Sequence, residues 1–510
     1  MKFTGIFKRM ETLTGFKKYA TAFLLGAAMV LAMPPIGAFP IMLISVPGFI
    51  TLARFCEKKR QSFLTGWAFG AGYFIFGLYW VSWSLMVDIA QFGWALPFSF
   101  VIGPTVLGLF FGFIPLLARR WSSVEAAHAL AFIGAWGAIE WVRGHILTGF
   151  PWNLPGYAFD QVLPLMQGAA YVGIYGLSLL ALFWMAVPEF TSRRNVFIVA
   201  LFSFILAAGF GNARLEYNKT EDSGYTVRLV QANIPQKMKW DNDEDWRNLE
   251  KHMALGTQDI VAGKEPTFVV WPETAVNADL SQFPEIASII AKSLPQGATG
   301  LLGSLRVDAA KASHPKVYNS MTVMDSNSNV LGHYDKHHLV PFGEYNPFSG
   351  LNIPAMAAAM AGVGGFTAGT GPQTMRAGKL PSFSPLVCYE VIFPREVVDQ
   401  KDRPDWIVNV TNDGWYGMTA GPYQHFASAR MRAVEEGLPL ARAANTGISG
   451  MIDPLGRVVD SVPLGTPGYV QTLLPKPLPR TPYAQFGDAF FFALLLLAAI
   501  SAEAVLRRKA

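Results

Sequence analysis

Long apolar runs separated by short polar breaks fill the first part of the chain, and the pattern then changes character. The first uncharged stretch, residues 19–53, is too long for one membrane crossing of about 20 residues. Pro34-Pro35 near its middle predicts a helical hairpin, because proline interrupts the helix ladder. Further apolar segments follow at 62–86, 95–118, 126–142, 163–188 and 196–210, and a last one at 489–506. Read as membrane spans, these make eight.

Basic clusters punctuate the runs. Arg54 with Lys58, Lys59 and Arg60, then Arg119-Arg120, then Arg193-Arg194, and finally Arg507-Arg508-Lys509 fall after every second span. Together with Lys8, Arg9, Lys17 and Lys18, they are expected on the cytoplasmic side by the positive-inside rule. Both termini are then expected to be cytoplasmic, and the region between the seventh and eighth spans lies on the opposite side of the membrane. No small-residue cleavage site follows the first apolar run, so it is expected to be a retained span rather than a signal peptide.

Between those two spans the period shortens to that of strands. Residues 226–234, 267–275, 299–307, 319–325, 385–392 and 405–413 carry branched and aromatic runs bounded by Asn, Asp, Pro and Gly, as strands do. Residues 244–261 and 423–436 read as amphipathic helices, so a layered α/β domain is expected. The organisation predicted is a transmembrane bundle of seven spans over 1–212, a domain on the side opposite the termini over 213–480, and a last helix with a cytoplasmic tail over 481–510.

Composition agrees with this reading. The chain is 51% hydrophobic and only 15% charged, too apolar for an ordinary soluble protein. Its net charge of +5 could suggest nucleic acid, but the basic residues sit between apolar runs rather than along one polar face. There are two cysteines, Cys56 and Cys388, so no disulfide framework is being built.

Three polar insertions follow strand-like runs: Trp271-Pro272-Glu273-Thr274, the segment from Tyr334 to Glu344, and Cys388-Tyr389-Glu390. Strand ends are where α/β sheets assemble their sites. Glu273 as general base, Cys388 as nucleophile and Lys336 as oxyanion partner make a chemically complete set. Each also has an ordinary reading: a helix cap, a buried small hydrophobe, a surface ammonium.

The ordered motifs WPET, DKHHLVPFGE, CYE and NVTNDGWYG resemble those of the nitrilase superfamily over about 220–475. With the apolar region in front and one span behind, the whole chain resembles the bacterial apolipoprotein N-acyltransferases, a membrane-embedded family of that superfamily. The resemblance implies eight transmembrane helices plus an αββα sandwich inserted before the last helix. It implies Glu273, Lys336 and Cys388 as catalytic residues, with Glu344, Tyr389 and Glu390 in support and the backbone N–H after Cys388 as a second oxyanion donor. Trp240 and Trp415 resemble aromatic residues placed around the substrate, and core packing is an equally good reading of both. The implied reaction moves an acyl chain from a phospholipid through a thioester on Cys388 to the amine of a diacylglyceryl-cysteine apolipoprotein. No cofactor is implied, and a monomer in the bacterial inner membrane is expected.

Other segments carry expectations of their own. Residues 350–371, apolar and glycine-rich, read equally as a mobile lid over acyl chains or as a helix and loop packed on the sheet. Glu140 and Arg143 share a helix face and predict an internal ion pair. Tyr79, Trp80, Trp83 and Trp152 suggest an interfacial belt. No metal site is expected: the histidines lack ligand partners at a recognisable spacing. The rival within enzymes is a membrane-anchored amidase that resolves the thioester with water. A transporter or receptor is the rival outside them, weakened by the few charges in the spans and the lack of paired halves.

Overall fold

The computed structural model describes residues 3–191, 193–239, 241, 243–308, 315–347 and 365–508. The chain forms two units, Met1–Lys219 with Thr419–Glu436 and Arg480–Ala510, and Thr220–Met418 with Gly437–Pro479.

The first unit is helical. Among its described residues three helices are long and apolar enough to cross a membrane: Phe98–Trp121, Arg194–Tyr217 and Ala489–Arg507. A fourth is obtained if Lys59–Gly77 and Tyr79–Met86, bent by 53°, are one span. Phe39–Arg54 and Ala169–Met185 are apolar but shorter. The expected hairpin breaks where the prolines stand, between a helix at Gly15–Met29 and one at Met42–Arg54. The helix Gly15–Met29 packs tightly on Lys59–Gly77. A Cβ on Gly26 would strike the Phe69 carbonyl, and one on Gly72 the Phe23 carbonyl, so these glycines set the close approach.

Glu140 and Arg143 are paired as their spacing predicts, with Arg143 Nε donating to Glu140 Oε2 at 2.7 Å and both side chains 1% exposed. The aromatic belt fails in part. Trp80 and Trp152 are buried, and their indole N–H groups both donate to Gln424 Oε1, at 3.1 and 2.7 Å. The indole nitrogens are thus spent on a partner within the fold rather than on lipid headgroups. Tyr79 and Trp83 are exposed.

The helix Ala420–Glu436 belongs to this unit although the chain reaches it from the other. Arg430 pairs with Asp160 at 2.7 Å, and Glu435 Oε1 accepts the Ile174 N–H at 2.6 Å. Gly173, at φ 65°, interrupts the helix before Ile174 and so leaves that N–H without an intrahelical carbonyl.

The second unit is a pair of sheets built from β1 (Asp222–Gln231), β2 (Phe268–Val276), β3 (Thr299–Asp308), β4 (Lys316–Asp325), β5 (Val330–Asp335), β6 (Phe383–Val387), β7 (Trp406–Thr411), β8 (Leu440–Ala444), β9 (Ser449–Ile452), β10 (Val458–Val462) and β11 (Gly468–Pro475). Six strands run in the order β11-β1-β2-β3-β4-β5 and five in the order β10-β9-β8-β7-β6. The centres of both sheets, β1-β2-β3 and β6-β7-β8, are parallel.

Alternation along β2 explains the layering. Phe268 and Val270 face the space between the sheets and meet Phe383, Val387, Val408 and Val410 in one core. Val269 and Trp271 point the other way, against Leu249, Ala287 and Ile290 of the helices Asp245–Thr257 and Pro284–Ala291. A strand buried on both faces needs apolar side chains at every position, which is why FVVW has no polar break. The expected strand 385–392 ends at Val387, and Cys388–Ile392 is a 3₁₀ turn.

Candidate active site

The ends of β2, β5 and β6 carry the expected chemistry. Glu273 lies near the end of β2, Lys336 follows β5, and Cys388 follows β6. All three are buried, at 6%, 1% and 5% exposure. Cys388 takes φ 53°, a left-handed conformation costing roughly 1–3 kcal/mol for a residue with a Cβ. It stands at the turn where the extended chain becomes 3₁₀.

Lys336 is held by carboxylates. Its ammonium lies 2.8 Å from Glu344 Oε2 and 3.9 Å from Glu273 Oε1. Burial alone would pull its pKa down, but Glu344, Glu273 and Cys388 together raise it above the ordinary lysine value. Asn319 Nδ2 ties the two carboxylates together, donating to Glu273 Oε1 at 2.7 Å and to Glu344 Oε1 at 3.0 Å. Glu344 Oε2 also accepts the Val340 N–H at 2.8 Å. Glu273 Oε2 has no hydrogen-bond partner among the described residues, leaving one oxygen able to take a proton.

The thiol of Cys388 is pushed up to about 12, chiefly by burial and then by Glu273, with Lys336 pulling the other way. At neutral pH it is therefore a thiol rather than a thiolate. Glu390 is buried completely and holds the surrounding backbone. It accepts N–H groups from Val387 at 2.7 Å, His337 at 2.7 Å and His338 at 3.2 Å, and the Tyr334 hydroxyl at 2.9 Å. One carboxylate thus fastens the turn carrying Cys388 to the loop carrying Lys336. Tyr389 is buried and lies 5.0 Å from the Phe393 ring.

Residues 226–477 match the family model described as carbon-nitrogen hydrolase, and residues 25–187 match the one described as apolipoprotein N-acyltransferase N-terminal domain. An apolipoprotein N-acyltransferase of Brucella melitensis is 39% identical over 98% of this chain and 97% of its own length. Those of Bradyrhizobium diazoefficiens and Rhodopseudomonas palustris are 39% and 36% identical over 96% and 97% of this chain, and over 95% and 96% of theirs. The chain belongs to the apolipoprotein N-acyltransferase family. An amidase from Nesterenkonia sp. is similar at 17% identity and a TM-score of 0.36, over 54% of this chain and 97% of that one.

In this member of the apolipoprotein N-acyltransferase family, Glu273, Lys336, Glu344 and Cys388 share one electrostatic environment. Trp240 and residues 350–364 of the glycine-rich segment lie outside the described residues. The end of that segment is described, and the Gly369 N–H donates to the Lys336 carbonyl at 2.8 Å. A Cβ there would strike the Asp335 carbonyl, so glycine is needed. Trp415 is 37% exposed.

Two site residues were not legible from motifs. Asn319 sits inside β4 as an ordinary strand polar residue, and only the fold turns its amide toward both glutamates. Lys239 is buried, and its ammonium donates to the Glu273 main-chain carbonyl at 2.5 Å. Burial lowers it to about 8 against the opposing pull of Glu273 and Cys388. A lysine in a short helix that begins after Pro235 gave no signal of burial.

Proposed function

We propose that this chain transfers an acyl chain from a phospholipid to the α-amine of a diacylglyceryl-cysteine apolipoprotein through a thioester on Cys388. The observation that carries the proposal is a buried thiol sharing its environment with Glu273 and Lys336, in a chain related over nearly its whole length to apolipoprotein N-acyltransferases.

In the first half, the free oxygen of Glu273 takes the Cys388 proton as sulfur attacks the ester carbonyl. The oxyanion of the tetrahedral intermediate is opposed by the Lys336 ammonium and the N–H of Tyr389. Collapse breaks the C–O bond, Glu273 returns the proton to the departing oxygen, and a lysophospholipid leaves. In the second half, the neutral amine attacks the thioester and Glu273 accepts its proton. Collapse then breaks the C–S bond, the proton goes to sulfur, and an amide and the free thiol result. Glu273 serves both halves because each begins by removing a proton and ends by giving one back.

Eight spans, with cytoplasmic termini and the catalytic domain in the periplasm of the inner membrane, complete the proposal. Helices too short to cross alone, such as Phe39–Arg54 and Ala169–Met185, are counted as spans on the strength of the basic clusters between them. A membrane setting suits the donor, since each acyl CH₂ withdrawn from lipid costs about 0.8 kcal/mol.

Incubation of the full chain with phospholipid, followed by intact mass measurement, tests the reaction. An acyl adduct on Cys388 that disappears when a diacylglyceryl peptide is added is the expected result. Hydrolysis of small amides without any such adduct would establish an amidase instead.

A further inference from the structure

The sequence gives no metal-binding spacing, yet the fold gathers two imidazoles and a carboxylate beside the Lys336 loop. One ligand atom each of His337, His338 and Glu396 lies within 4.8 Å of the other two. Glu396 Oε2 is 3.1 Å from His338 Nδ1 and 3.8 Å from His337 Nε2. Ligand atoms around a tetrahedral zinc, bound at about 2.0–2.1 Å, are roughly 3.3 Å apart. The two distances bracket that separation.

An ion pair between the imidazoles and Glu396 is the plainer account, but it leaves the ring nitrogens unresolved. His337 Nδ1 lies 2.6 Å from Glu390 Oε1, so its N–H belongs to that carboxylate. Nε2 faces Glu396 Oε2 from 3.8 Å, too far for a hydrogen bond. The Nε2 atom of His337, the ring nitrogen on the Glu396 side, is buried without a hydrogen-bond partner among the described residues, and His338 presents Nδ1 to the same oxygen. A cation between the rings and the carboxylate would give that nitrogen a partner.

We propose that His337, His338 and Glu396 bind a divalent transition-metal cation of the zinc class, with Glu390 orienting His337 from behind. A carboxylate on the far nitrogen of a ligating histidine is the usual support of such sites. Two imidazoles favour zinc-like ions over calcium or magnesium, which take oxygen ligands. The Glu396 side chain is 45% exposed, so solvent reaches the site and can fill a fourth position. A bound cation would cross-link the segment after Lys336 to the segment after Cys388. The proposal does not depend on acyl transfer.

Calorimetric titration of the chelator-stripped, detergent-solubilised full chain with Zn²⁺ alone tests it. One equivalent is expected to bind, with affinity reduced about tenfold or more in Glu396→Gln and in His338→Gln, and retained in Cys388→Ala. Glu396→Gln changes a half-exposed side chain, and circular dichroism checks that the fold is kept. Unchanged affinity in folded Glu396→Gln overturns the site. So does the absence of saturable binding, or loss of binding in Cys388→Ala, which would put the cation on the thiol.

Discussion

The ammonium of Lys336 lies 3.9 Å from Glu273 Oε1, close enough to attract and too far to hydrogen-bond. What holds it off is Glu344, at 2.8 Å. The arrangement commits the lysine to one carboxylate and keeps the other available for a proton. Glu344→Gln is expected to draw Lys336 onto Glu273, weakening it as a base, and to slow acylation of Cys388 by about a hundredfold. Time-resolved intact mass of the acyl-enzyme measures this. An unchanged rate would mean that Glu344 only shapes the loop.

Removing the ammonium itself has a second cost. Lys336→Met would leave Glu344 and Glu273 buried together without their cation, and breaking a buried pair in this way costs about 3–5 kcal/mol. A lower thermal midpoint in detergent and a loss of acylation of about 10²–10³-fold are both expected. A variant of wild-type stability would show that the carboxylates are neutralised by something else.

Glu273, Lys336 and Cys388, which the fold brings together, were readable as candidates because each stands in a short polar motif at the end of an apolar run. Strands fully buried on both faces, such as β2, were readable for the same reason. β8, with the sequence LARAA, was not: its buried Arg442 pairs with Asp413 at 2.8 Å, and a charge in a short run hides a core strand. The exposed β10 has no apolar face to detect. Lys239 and Asn319 escaped because their partners are supplied by distant strands. Trp80 and Trp152 misled for the opposite reason, since an indole that suits a membrane interface suits a buried glutamine equally well.

Lys239 gives the site a pH dependence. Its pKa is lowered to about 8 by burial, so it is charged below that pH and neutral above it. A nearby positive charge favours the thiolate, and its loss opposes ionisation of Cys388. Alkylation of Cys388 by iodoacetamide is therefore expected to rise with pH and then bend downward in slope near pH 8. Lys239→Met should lack the bend and react more slowly at pH 7. A profile shared by both proteins would remove Lys239 from the electrostatics of the thiol.

In the helical unit, Glu140 and Arg143 form a pair in which both side chains are 1% exposed. Arg143 also donates to the Trp152 carbonyl at 3.0 Å, and Trp136 donates to Glu140 Oε1 at 3.2 Å. Glu140→Gln leaves a buried guanidinium without its counter-charge and is expected to cost about 3–5 kcal/mol. Removing both charges, as in Glu140→Gln with Arg143→Leu, should cost less than the two single changes added together. Thermal melts of the four proteins form the cycle, and simple additivity would mean that the pair contributes nothing as a pair.

Glu390 offers a different test, because its role is to collect donors rather than to meet substrate. The N–H groups of Val387, His337 and His338 and the hydroxyl of Tyr334 all end on its two oxygens. The His337 ring and the backbone N–H of Val387 help hold its pKa below the ordinary glutamate value against the effect of burial. Glu390→Gln keeps the volume but replaces one acceptor oxygen with an N–H₂ group. Either Val387 or the His337 loop then faces a donor, and an unsatisfied buried group costs about 1–3 kcal/mol. Stability should fall by that amount. Acylation should fall further than stability explains, because the Cys388 turn and the Lys336 loop lose their common anchor and drift apart. Glu390→Asp separates the two effects: it keeps the charge and both oxygens but shortens the reach, so it should recover more stability than activity. Equal recovery of both would reduce Glu390 to a residue of the core.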